Sequence, residues 1–409
     1  MNVRFLSRAD GPGLRARYGS ALAGDGASAL AAAADTRLLA LDTRPAQPAL
    51  ALLREAGVTV VGAGETVLLA ASRASLERAR AAARGDAAEL IAALLGALDR
   101  AAAPAPLLRL RGRTLELRDE ARVMGIVNVT PDSFYDRVES VEAAVSAARG
   151  MAAAGAALVD LGGQSYAHWN ASVSADEERE RVVPAVRAIG EAGLDLALSV
   201  DTFTASVADA ALSAGAHLIN DCSGLSDPAL PEVVARHGAA LVVMHLKGAL
   251  NVRRPERYVY RDALAEIVEF LYQRTERALS AGVARDAIAI DPGLEFGKEP
   301  ATDLEILERF GELRALGYPI LFASSRKSFL GRIFERPARE LLIPSLATAA
   351  IGIGAGARLL RVHDVAETVQ LARMLAAVSP ERRAALPLAE RMPGTPLAGN
   401  PVLPAVVSP

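Results

Sequence analysis

A chain of 409 residues with 51 % apolar content has room for a real core and for more than one domain, at roughly 100–200 residues each. Its 45 Lys and Arg against 48 Asp and Glu leave a net charge of −3, so there is no global positive field to hold a nucleic-acid backbone or an anionic bilayer. Cys222 is the only cysteine, which excludes an intrachain disulfide and a cysteine-built zinc site. Arg4, Arg8 and Asp10 stand where a signal peptide needs an apolar stretch, and the expected location is the cytoplasm.

Residues 1–100 alternate β-like runs (Val3–Leu6, Arg37–Leu41, Val58–Val61, Thr66–Ala70) with helical stretches rich in Ala, Leu, Arg and Glu, which predicts a small α/β domain without visible chemistry. Residues 101–118 read as a linker, Ala101–Pro106, followed by two short strands around Arg111-Gly112-Arg113. From there to residue 385 one pattern repeats: an apolar strand-like run, a polar or Gly-rich loop, then a helical stretch. The runs are Val123–Val127, Leu158–Leu161, Leu196–Val200, His217–Ile219, Ala240–Met244, Ala287–Ile290, Ile320–Ala323 and Leu359–Val362. Eight such units over about 250 residues predict a (β/α)8 TIM barrel, so the fold class is α/β, with the barrel preceded by the small α/β domain. A doubly wound sheet is the alternative, but no G-x-G-x-x-G follows the first strand. The uncharged run Leu341–Ala357 is interrupted by Pro344, Ser345, Thr348 and three glycines, which predicts a buried helix rather than a membrane span. Leu386–Pro409, with six prolines, predicts a poorly ordered tail.

Each barrel run ends in, or passes straight into, residues that an apolar core would not choose. Asn128 follows the first and Gly162-Gly163-Gln164 the second; then come Asp201, Asn220-Asp221, His245, Asp291-Pro292-Gly293, Ser324–Lys327, and Arg361 with His363. Any one of these reads best as a helix cap or turn former, and His245 alone as a core histidine. Together they read as a site, because all strand ends of a barrel meet on one face. Asp201, Asn220 and Asp291 complement a planar heterocycle that presents N–H and carbonyl groups along an edge, with Met244 and Phe296 against its faces. Lys327, Arg361 and His363 concentrate positive charge suited to a phosphate or diphosphate leaving as an anion. No G-x-S-x-G, H-E-x-x-H or G-x-x-x-x-G-K-[ST] is present, which removes the hydrolase-elbow, zincin and P-loop readings.

The stretches Met124–Phe134 (MGIVNVTPDSF), Leu158–Gly163 (LVDLGG), Ser199–Thr202 (SVDT), Leu218–Asp221 (LIND), Met244-His245, Asp291–Lys298 (DPGLEFGK), Ser325–Gly331 (SRKSFLG) and Arg361–Val365 (RVHDV) resemble dihydropteroate synthases, in family order. The resemblance implies that p-aminobenzoate displaces diphosphate from 6-hydroxymethyl-7,8-dihydropterin diphosphate. It implies pterin contacts from Asp201, Asn220, Met244, Asp291, Phe296 and Lys327, and diphosphate contacts from Asn128, Arg361 and His363. Lys327 and Ser328 would border the aminobenzoate, Asn128 would ligate Mg²⁺, and Lys327, Arg361 and His363 would carry the catalysis. Members commonly pair, which leaves a homodimer open. The chain departs from the family at Gln164–Asn170, where E-S-T-R-P-G is usual, and at Tyr135–Val138, where S-D-G-G is common. These departures keep other readings open: a different arylamine, a methyl transfer, or a pterin-binding protein without turnover.

Overall fold

The computed structural model describes residues 3–6, 37–41, 45–63, 66–102, 105–130, 138, 140–164, 173–250 and 258–378. The expectations placed on the tail Leu386–Pro409, on Tyr135–Arg137 and on residues 165–170 lie outside the described residues.

The N-terminal strands β1 (Val3–Leu6), β2 (Arg37–Leu41), β3 (Thr59–Ala63) and β4 (Thr66–Ala71) form an antiparallel sheet in the order β1-β2-β4-β3. Three helices cover it: α1 (Gln47–Glu55), α2 (Arg73–Ala82) and α3 (Asp86–Ala102). Ser72 starts α2 by accepting the Ser75 N–H, and Ser75 answers with its hydroxyl, a reciprocal cap. Leu90, Ile91, Leu94 and Leu98 of α3 recur at helical spacing and pack with Leu39, Leu53 and Leu69 in a separate core. This layer meets the barrel through Arg100, whose Nε donates to Ala315 O at 2.6 Å. Its stem lies over Gly317, where a Cβ would come within 2.3 Å of it.

A hairpin, β5 (Leu107–Leu110) and β6 (Arg113–Glu116), follows. It turns at Gly112 with φ +72°. Leu108, Leu110 and Leu117 pack with Met124, Leu158, Leu218, Leu321 and Leu359, residues at the starts of barrel strands. The hairpin therefore plugs the N-terminal end of the barrel.

The barrel strands are β7 (Arg122–Asn128), β8 (Leu158–Gly162), β9 (Ala197–Asp201), β10 (Leu218–Asp221), β11 (Ala240–Met244), β12 (Ile288–Asp291), β13 (Leu321–Phe322) and β14 (Leu359–Val362). All pair in parallel, in the order β12-β11-β10-β9-β8-β7-β14-β13. A bridge between Ile290 and Ile320 closes the ring, giving the (β/α)8 barrel. Strands buried on both faces explain the unbroken apolar runs. Helices α4 (Val141–Ala153), α5 (Ala175–Glu191), α6 (Ala205–Ser213), α7 (Leu230–His237), α8 (Ala263–Ser280), α9 (Pro300–Arg309), α10 (Ser328–Phe334), α11 (Leu342–Ala355) and α12 (Val365–Ala377) form the outer layer.

The structure corrects one expectation here. The run predicted as a buried helix forms α11, but its aliphatic side faces out, with Ile343 72 % and Ile351 51 % exposed. The buried side is the small and polar one. Ser345 accepts the Arg326 N–H, Thr348 bonds Ser324, and Gly352 lies against the Phe322 ring. The hydroxyls face inward because the loop after β13 supplies their partners.

Candidate active site

Ladder register sets the level of the site. Asn128 pairs with Gly162, Gly162 with Asp201, and Asp201 with Asn220, so four strand ends stand in one row. Met244 pairs with Asp291 on the neighbouring strands. Several strands run one or two residues further than the apolar runs suggested, which makes Asn128, Asp201, Asn220, Asp221 and Asp291 their terminal residues.

Below this row lies Asp160, fully buried in the middle of β8. It accepts the Ser199 hydroxyl, Asn220 Nδ2 at 3.0 Å and Arg361 Nε at 2.6 Å. Arg361 also donates from Nη2 to Asp201 at 2.7 Å. Burial alone would lower the Arg361 guanidinium, but the Asp160 and Asp201 charges outweigh it and hold the group above its ordinary range. Burial raises the Asp201 carboxyl well above the usual range, against the Arg361 charge and helped by Asp160 and Glu178. The sequence reading quoted Asp160 within LVDLGG and gave it no role. Its signal was there, a carboxylate inside an apolar strand, which burial tolerates only when paired.

Asp291 is likewise buried; its Oδ1 accepts the Gly293 N–H at 2.6 Å, and burial raises its carboxyl against the Lys327 charge. The segment Gly293–Lys298 folds into a tight loop held by Lys298. Its buried Nζ donates to Gly293 O at 2.6 Å, Phe296 O at 2.9 Å and His245 Nδ1 at 2.9 Å. Burial and the Lys298 charge push His245 down to about 2, so its neutral ring accepts that bond. With Phe270 edge-on at 4.8 Å, His245 is a satisfied core histidine. Asp221 is structural as well, accepting from Ser223 and Leu225. Lys298 was a further omission of the sequence reading; it anchors the loop that presents half-buried Phe296.

Lys327 donates to Leu294 O at 2.6 Å, with Nζ 4.9 Å from the centre of the Phe296 ring. It thus joins the loop after β13 to the loop after β12, and Ser328 follows, exposed, at the start of α10. Arg326 turns away with φ +55° and forks onto Asp364, Nε to Oδ2 at 2.8 Å and Nη2 to Oδ1 at 2.5 Å. Ser325 accepts the His363 N–H at 3.2 Å and lies 3.0 Å from His363 Nδ1. Burial and the Arg361 charge push His363 down to about 4. The expected trio of cations is therefore corrected to two, Lys327 and Arg361, with His363 a neutral donor.

Every proposed site residue thus lies at the C-terminal end of the barrel, on strand ends or in the loops that leave them. The pterin binding enzyme family matches residues 124–363. The dihydropteroate synthase of Bacillus subtilis is 39 % identical over 267 residues, covering 64 % of this chain and 90 % of that protein. A Mycobacterium leprae relative named inactive dihydropteroate synthase 2 is 41 % identical over 270 residues, covering 64 % and 92 %. The structure of Xanthomonas albilineans dihydropteroate synthase with 4-aminobenzoic acid superposes with a TM-score of 0.62 at 40 % identity, covering 67 % of this chain and 98 % of that one. With its barrel, its rim residues and these relatives in agreement, the chain belongs to the dihydropteroate synthase family of pterin-binding enzymes.

Proposed function

We propose that the chain is a transferase of folate biosynthesis that condenses 6-hydroxymethyl-7,8-dihydropterin diphosphate with p-aminobenzoate to give 7,8-dihydropteroate and diphosphate. The observation that carries this reading is the bridge from Arg361 to Asp160 and Asp201, which sets a fixed cation beside buried carboxylates on one rim. Asp201, Asn220 and Asp291 would receive the polar edge of the pterin, between Met244 and Phe296. Arg361 commits Nε and one Nη2 proton to the aspartates and retains further N–H groups for the departing diphosphate. His363 would add a neutral N–H donor from its ring. As the carbon–oxygen bond to diphosphate breaks, these donors meet the growing anionic charge, which is where transition-state stabilisation acts. The amine nitrogen then bonds the methylene carbon and releases its proton to solvent, with Lys327 and Ser328 bordering the ring that carries it.

Magnesium belongs to this reading. Among the described residues no group of three or more His, Cys, Asp or Glu is placed to hold a metal ion, which suits an ion that takes most ligands from phosphate and water. Asn128 would supply one amide oxygen; its Oδ1 lies 3.5 Å from where a Cβ on Gly162 would sit. Bound there, the ion would neutralise diphosphate charge. A homodimer and a cytoplasmic location complete the proposal. The first is supported by the exposed Ile343, Ile351, Met374 and Val378 on the adjoining α11 and α12, and is tested by light scattering.

The experiment supplies purified protein with the pterin diphosphate, Mg²⁺ and p-aminobenzoate and follows diphosphate and dihydropteroate together. Arg361→Ala should lower turnover by about 10²–10³, whereas Asp291→Asn should chiefly weaken pterin binding. Equal activity of both variants and the parent would remove these assignments. Since the Mycobacterium leprae relative is named inactive, the competing reading is a pterin binder without turnover. Tight pterin binding with no product would establish it.

A further inference from the structure

Glu178, near the start of α5, is 1 % exposed, and its Oε1 has no hydrogen-bond partner among the described residues. A buried carboxyl short of its bonds costs stability, so its presence needs another reason. Its surroundings supply one. The Glu178 stem lies against Gly163, where a Cβ would come within 3.1 Å of Glu178 Cγ and 2.6 Å of Val182 Cγ2. Arg181, one turn on, donates from Nη1 to Gly163 O at 3.0 Å. On the other side stands Thr202, fully buried and next in sequence to Asp201. Its backbone N–H donates to Asn220 O at 3.2 Å, and its hydroxyl accepts the Thr204 N–H at 3.2 Å. The proton of that hydroxyl is left for Glu178: burial raises the Glu178 carboxyl, while the Thr202 hydroxyl and the Arg181 charge pull it down. One side chain of α5 thus engages the residue after β8 and the residue after β9.

We propose that Glu178 is a positioning residue for the pterin end of the site: packed on Gly163 and bonded to Thr202, it fixes the spacing of the β8 and β9 ends, and through Thr202 the placement of Asp201 and Asn220. The inference rests on the reading that those two residues receive the pterin edge. Asp201 and Asn220 are register partners on neighbouring strands. Thr202 is joined to the first by a peptide bond and to the second by its N–H, so a shift of Thr202 moves both. A polar group held at a cost in stability behind a binding residue marks a place where function overrides packing.

The test titrates 7,8-dihydropterin calorimetrically into the full chain, then 4-aminobenzoate into the pterin-saturated protein with diphosphate and Mg²⁺, and melts each form. Glu178→Met keeps an unbranched stem against Gly163 and removes both oxygens. It should weaken pterin about fivefold, leave 4-aminobenzoate within about twofold, and melt no lower than the parent, because a buried unpaired oxygen is gone. Glu178→Gln keeps an acceptor for Thr202 and should bind pterin within about twofold of the parent. Thr202→Val should match Glu178→Met in pterin affinity, and the double variant should lose nothing further; Thr202→Val carries the test alone if Glu178→Met does not fold. Unaltered pterin affinity in Glu178→Met or Thr202→Val, a lower melting point with equal loss for both ligands, the same loss in Glu178→Gln, additive losses in the double variant, or no pterin binding by any form would overturn the proposal. Failure of the activity reading is seen separately: the unaltered protein would then release no diphosphate while the pterin affinities still moved.

Discussion

Asp160→Asn isolates the buried carboxylate that holds Arg361. Asp160 receives three donors, from Ser199, Asn220 and Arg361. Asparagine offers one oxygen in place of two, and its NH₂ faces groups that are themselves donors. Only the Ser199 hydroxyl can reverse its role. Asn220 and Arg361 share Oδ2, so an asparagine with its oxygen there and its NH₂ toward Ser199 keeps both bonds, but Arg361 keeps a single carboxylate, Asp201, at 2.7 Å. Reducing a charge-assisted hydrogen bond to a neutral one in the interior costs about 1–1.5 kcal/mol. The cost stays below the ~3–5 kcal/mol of a buried pair broken outright, because Asp201 remains. At ~2–4 °C per kcal/mol for a domain of this size, thermal unfolding should come about 2–6 °C earlier. The guanidinium should also swing toward Asp201, raising KM for the pterin diphosphate while KM for the arylamine holds. Calorimetric melting and steady-state kinetics on the same preparation read both effects. A variant as stable as the parent, with both KM values unchanged, would refute the idea that Asp160 positions Arg361.

Gly297 has φ +68°, and a Cβ on it would lie 2.1 Å from Lys247 O. Gly297→Ala should therefore cost at least ~3 kcal/mol in urea unfolding and displace Phe296, so full stability with normal pterin affinity would contradict the loop geometry. His363 has an ordinary value of 6.5 and falls to about 4 when buried, so the unfolded chain takes up the proton first on acidification. Its contribution is complete above pH 6.5 and is lost as pH falls toward about 4, roughly 3 kcal/mol in all. Asp201 and Asp291, raised by burial, act in the opposite sense and stabilise toward acid, and they are unaltered in His363→Gln. Urea unfolding of that variant between pH 7 and 4.5 should show a shallower acid loss than the parent; identical slopes would show that His363 is not held neutral.

The barrel was legible because its strands are apolar on both faces and end in polar residues, a contrast that survives without any knowledge of pairing. Arg361, Asp201, Asn220 and Asp291 could be grouped for the same reason. Asp160 was hidden because a single carboxylate inside an apolar run looks like noise until its partners, 39, 60 and 201 residues away, are in place. Lys298 was hidden by its motif, since a lysine after Phe296-Gly297 gives no sign that it turns inward onto three carbonyls and a ring nitrogen. The outward face of α11 was misjudged because hydropathy counts Ile343 and Ile351 and cannot see that Ser345 and Thr348 have partners inside. His363 was read as a cation from its residue type, whereas its charge is decided by burial and the Arg361 charge.

These placements divide the site into halves with different constraints. The half that holds Asp201, Asn220 and Asp291 rests on ladder residues and on buried bonds from Asp160 and Lys298, so moving one side chain there disturbs several partners at once. Such a surface is preorganised, and its donors and acceptors meet the ligand with little reorganisation. The other half is built from loop residues: Lys327 and Ser328 after β13, and Glu295 after β12, with Ser328 exposed. Replacing Ser328 or Glu295 changes charge or shape without altering strand register. In the proposed reaction the first substrate would therefore be fixed by the same packing that makes the barrel, and the second by a few loop side chains. That asymmetry would let a loop substitution such as Ser328→Ala alter the arylamine of the proposed reaction while Asp160, Asp201 and Arg361 keep their geometry.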